Sequence, residues 1–69
     1  MNKYNEEELK GMTVNERLFG LGLIGQWDLA AKTRNRQMMI EILLKCSFSQ
    51  EQSEQTTDAV LKNPAKFGF

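Results

Sequence analysis

Histidine is absent from these 69 residues, and cysteine and proline occur once each. Without histidine the chain lacks the commonest general base near neutral pH and the commonest metal ligand. Cys46 alone cannot build a zinc-type cluster or bridge within the chain. A lone thiol suits a reducing compartment. No apolar run approaches the ~20 residues needed to span a bilayer, and residues 1–8 hold no apolar signal-peptide core. These absences lead us to expect a cytoplasmic protein with no membrane segment. Neither sign of charge is in excess, with nine basic and nine acidic side chains. That balance argues against a dedicated nucleic-acid binder, which usually carries a basic surplus, and low net charge favours self-association. Strand-like alternation and internal repeats are missing too.

What the chain does have is a nearly all-apolar segment, Met38-Met39-Ile40-Glu41-Ile42-Leu43-Leu44-Lys45-Cys46. Its two charges stand four apart, acid first, on one narrow helical stripe. A helix apolar almost all round belongs in a core, with neighbours on several sides. Asn35 is a good N-cap for it, predicting a central helix over about 36–45. Before it, Leu23, Ile24, Trp27, Ala30 and Ala31 share a helical face over about 23–33, with Asp28 and Lys32 four apart on the other. Thr13-Val14-Asn15-Glu16 matches the capping box, so a helix should begin near Val14 and run through Leu18 and Leu21, with Gly22 as its C′ residue. Ser49 and Gln52 form a second capping box with Phe48 at the staple position. That helix should reach Lys62 and dock chiefly by its apolar C-terminal half, Ala59-Val60-Leu61. Asn63-Pro64 ends it. Residues 64–67 suit one more turn before Gly68, with Phe67 and Phe69 folded back onto the core. Residues 1–12 read as an extension or a short helix interrupted at Gly11, and 13–69 as a single helical domain.

Several motifs carry bland and sharp readings. Gly20-Leu21-Gly22-Leu23-Ile24-Gly25 formally matches the dinucleotide-binding G-x-G-x-x-G. That motif has meaning only after a strand in a βαβ unit, whereas a capping box precedes it here. Glycines that break a helix and allow close packing are the simpler reading. The 23–33 and 36–45 pair resembles a helix-turn-helix, with Lys32, Arg34 and Arg36 placed for phosphates. A recognition helix must present polar groups to bases, however, and the second helix is the greasiest in the chain. Arg17 joins those three in a basic section that reads as a solvated face. Trp27 fits an interface anchor, but its spacing fits a core position better. Cys46 fits a small buried residue better than a reactive thiol. Glu51, Glu54 and Asp58 share one helical face, without a second set of ligands for a cation.

Val14-Asn15-Glu16-Arg17-Leu18-Phe19, the Gly22-Leu23 step, the stretch 32–39 and the ending Asn63-Pro64-Ala65-Lys66-Phe67-Gly68-Phe69 resemble a group of short bacterial helical proteins of unknown function. The resemblance covers residues 12–69 and implies a bacterial, cytoplasmic, all-helical protein. It transfers no activity and no functional residue. At Gly25 the chain departs from the acidic residue of that pattern.

The sequence thus predicts an all-α fold, a small helical bundle of three principal helices plus short terminal helical turns, with residues 36–46 as its hub. It offers no catalytic residue, cofactor or metal ligand, and no evident small-molecule ligand. The expected function is non-enzymatic: a small protein-interaction or regulatory module that binds another protein or a second copy of itself. A nucleic-acid-associated regulator using Lys32, Arg34 and Arg36 is the alternative. Trp27, Lys32, Arg34 and Arg36 are the candidate partner-binding residues.

Overall fold

The computed structural model describes residues 7, 8 and 11–69. Among them the chain is all-helical: α1 (Val14–Gly20), α2 (Ile24–Lys32), α3 (Arg36–Lys45), α4 (Gln50–Lys62) and a closing 3-10 turn (Pro64–Phe67). Most of the expected extension over residues 1–12 lies outside the described residues. Within it, Glu7 and Glu8 are helical, and the Gly11 N–H donates to the Glu8 carbonyl at 3.3 Å.

Each start follows from its cap. In α1 the Glu16 N–H donates to Thr13 Oγ1 at 3.3 Å, and the Thr13 N–H donates to Glu16 Oε1 at 3.1 Å. Ser49 and Gln52 make the same reciprocal pair for α4, at 3.1 and 3.2 Å. Asn35 Oδ1 accepts from the Met38 N–H at 3.2 Å at the start of α3. Of α1 to α4, α2 alone begins without a side-chain cap, on Leu23.

The ends share one device. Gly22, Arg34 and Ser47 all take positive φ, at 71°, 57° and 66°. The residue after each returns its N–H to a carbonyl in the helix just finished: Leu23 to Leu18 at 2.8 Å, Asn35 to Ala30 at 2.8 Å, Phe48 to Leu43 at 3.3 Å. This is the Schellman closure, satisfying carbonyls that the helix leaves unpaired. Gly22 therefore does what its C′ position requires. Gly25 does not serve the close packing expected of it: a Cβ there would meet nothing within 4 Å.

Helix α3 is the hub, packed between α2 and α4, with its contact to α4 the more extensive. Met39, Ile40, Ile42, Leu43 and Cys46 are buried, while Glu41 and Lys45 face solvent with Leu44 and Met38 partly exposed beside them. Leu18, Trp27, Ala30, Ala31 and Val60 close the core around it. Two expectations need correction. Helix α4 docks along its length, because Ser53 and Thr57 are fully buried as well as Val60; small side chains let the polar half approach α3. Phe67 is 45% exposed rather than folded in, although Phe69 packs against the core. Neither Asp28–Lys32 nor Glu41–Lys45 comes within ion-pair distance; Glu41 instead accepts from Gln37 Nε2 at 3.4 Å.

Candidate functional site

The four residues singled out in the sequence do not gather into one site. Trp27 is buried in the core by the face it shares with Ala30 and Ala31. Lys32 is exposed in the last turn of α2. Arg34 turns back on its own helix end, where Nη1 donates to the Ala31 carbonyl at 2.6 Å. Arg36 reaches across to α4 and grips Asp58 with two bonds, Nε to Oδ1 at 2.8 Å and Nη2 to Oδ2 at 3.2 Å. This hydrogen-bonded pair raises the Arg36 pKa and holds the Asp58 carboxyl below its ordinary range. Two of the three basic groups are thus engaged within the chain.

Arg17 departs further from its sequence reading. It is buried rather than solvated, at 6% exposure. Its Nε donates to the Met12 carbonyl and its Nη1 to the Cys46 carbonyl, both at 3.1 Å. The guanidinium lies 4.0 Å from the Phe48 ring centroid, a cation–π distance. Cys46 closes α3 and is fully buried; burial pushes its thiol pKa up against the opposing pull of the Arg17 charge. A thiol in that setting is structural, not nucleophilic.

One concavity has no local signature in the sequence. A cleft of about 580 Å³ lies where four elements converge. The start of α1 contributes Val14, α2 contributes Ile24, Trp27 and Asp28 from one face, α4 contributes Thr56 and Val60, and the chain ending contributes Lys66, Phe67 and Phe69. Trp27 thus closes the core and also walls this cleft. Asp28 is half-buried and has no hydrogen-bond or ion-pair partner among the described residues. Lys66 is exposed, its Nζ 5.9 Å from the Phe67 ring centroid. Elsewhere Phe19 and Leu29 stand out in solvent, 81% and 61% exposed. Among the described residues no group of three acidic, histidine or cysteine side chains is placed to hold a metal ion, and no helix is long and apolar enough to cross a membrane.

Comparison with known proteins brings no relative: no family, no curated protein and no solved structure matches this chain.

Proposed function

We propose that this chain is a non-enzymatic interaction module that engages another protein, or a second copy of itself, through apolar side chains left outside its core. The observation that carries this reading is the exposure of Phe19 and Leu29 in a chain with so little core to spare. Exposed apolar surface, where it is contiguous, marks a contact surface, and these two side chains are the most exposed large apolar groups among the described residues. The setting we propose is the bacterial cytoplasm, supported by the single buried thiol and by the resemblance over residues 12–69. Residues 13–69 act as one domain with three principal helices.

Sedimentation and capture from native cells test it, with the Phe19→Ser/Leu29→Ser double substitution as control. The expected result is self-association or a captured protein, either of them lost in the doubly substituted chain. A wild-type chain that stays strictly monomeric and captures no more than the doubly substituted chain removes the reading. The alternative, a nucleic-acid-associated regulator, has weaker support because Arg34 and Arg36 are engaged within the chain. It requires binding that weakens steeply with salt and is lost on Lys32→Ala/Arg34→Ala substitution.

A further inference from the structure

The cleft between α1, α2, α4 and the chain ending combines aromatic surface with a single carboxylate side chain. Its volume, about 580 Å³, falls inside the range of about 300–1,000 Å³ typical of small-ligand sites. Trp27, Phe67 and Phe69 supply aromatic surface; Val14, Ile24 and Val60 supply aliphatic surface. Asp28 carries the one acidic side chain in the lining and Lys66 the one basic side chain. They are not equivalent. Asp28 is half-buried, next in sequence to the buried Trp27, and no described residue pairs with it; Lys32, one turn on, and Lys66 both stay beyond ion-pair distance. Lys66 is exposed at the rim.

A carboxylate set beside aromatic surface with no counter-charge from the described residues is free to pair with an incoming cation. Aromatic faces carry a negative quadrupole and also attract cations. Both features therefore favour the same occupant. We propose that this cleft binds a small organic monoamine, an ammonium group carried on an aryl or branched apolar body. The ammonium pairs with Asp28, and the body lies on Trp27, Val60 and the Phe67 ring, covering the exposed face of Phe67. Lys66 disfavours a second amine at the rim, so diamines bind less well than monoamines of the same length. This inference is independent of the contact role proposed for Phe19 and Leu29, and either can fail alone.

Trp27 is the sole tryptophan, so its fluorescence reports on the cleft directly. The test is a titration of the full chain with 2-phenylethylamine, with 2-phenylethanol as its uncharged counterpart, and with 1-aminopentane against 1,4-diaminobutane of the same length, the diamine expected to bind more weakly. The expected result is a saturable change with the amine and affinity about tenfold weaker, or worse, for the alcohol, the loss that goes with one charge-assisted bond. Asp28→Asn should bring the amine down to the alcohol's affinity. Thr56→Phe, which fills the cleft from a half-buried position on α4, should abolish the response while the melting temperature holds. An unsaturable amine titration, equal affinities of amine and alcohol for the wild type, or undiminished binding by Asp28→Asn would each overturn the proposal. Should Asp28→Asn fail to fold, the wild-type comparison of amine with alcohol still decides it.

Discussion

Arg17 ties together three parts of the chain that have little else in common. Its guanidinium satisfies one carbonyl before α1 and one at the end of α3, and it covers the Phe48 ring. The Cys46 carbonyl belongs to a helix C-terminus, where a positive charge is favoured. Arg17→Ala should therefore lower unfolding stability by about 2–3 kcal/mol, chiefly through the orphaned buried carbonyl and lost packing. Arg17→Lys should recover little, because an ammonium cannot fork between two acceptors and stack at once. Denaturant titration of the two substituted chains measures both. Ser53 and Thr57 work in the opposite direction: their hydroxyls are buried without a hydrogen-bond partner. Ser53→Ala and Thr57→Val should each stabilise by about 1 kcal/mol in the same titration. The burial of Arg17 had one signal in the sequence, its helical spacing with Val14 and Leu21 on an apolar face. Its charge, in a section rich in arginine and lysine, masks that signal. Ser53 and Thr57 had none, because small polar residues look alike whether they face water or a neighbouring helix.

At the scale of elements, the caps were the most legible feature and the helix ends the least. Both capping boxes and the Asn35 cap depend on residues three apart, so short-range chemistry specifies them. The ends at Arg34 and Ser47 depend on a left-handed backbone that favours glycine, yet neither residue is glycine. That mismatch predicts an outcome. Ser47→Gly should raise stability by about 1 kcal/mol by relieving a Cβ in the left-handed region, while Gly22→Ala should lower it by a similar amount. Gly25 predicts another gain. It sits exposed in the first turn of α2, a helix with no acidic residue there and no side-chain cap. Gly25→Ala should gain about 1 kcal/mol from propensity, and Gly25→Glu should add a few tenths through the helix dipole. Thermal melts of the singly substituted chains check all four changes.

For the whole molecule, the hub was legible because an apolar segment with one charged stripe has only one sensible place to go. The cleft was not, because its walls come from residues 13 to 69 and no local pattern joins them. Phe67 shows the same limit: its large apolar side chain predicted burial, but the turn that carries it leaves it at the rim. The pH dependence of stability is also a property of the assembled chain. Because the folded state raises the Cys46 pKa, it holds that proton more tightly than the unfolded chain does. This contribution is whole below the unfolded thiol value of about 8.5 and is lost as pH climbs through the folded one. Denaturation midpoints should therefore fall in mildly alkaline buffer, and Cys46→Ala should flatten that limb. Asp58 acts at the other edge: its lowered pKa gives stability above the unfolded carboxyl value of about 3.9 that disappears as pH falls through the folded one. Both partners of that pair are exposed, so the acid limb should be shallow and should fade with added salt.

The joints between the helices span three, three and four residues, and Asn35 finishes one helix while opening the next. Such joints leave no slack to absorb a graft. A reporter peptide spliced into any of them would have to pull apart a helix closure, and at the second and third joints a side-chain cap as well, so tags and fusion partners belong outside residues 13–69.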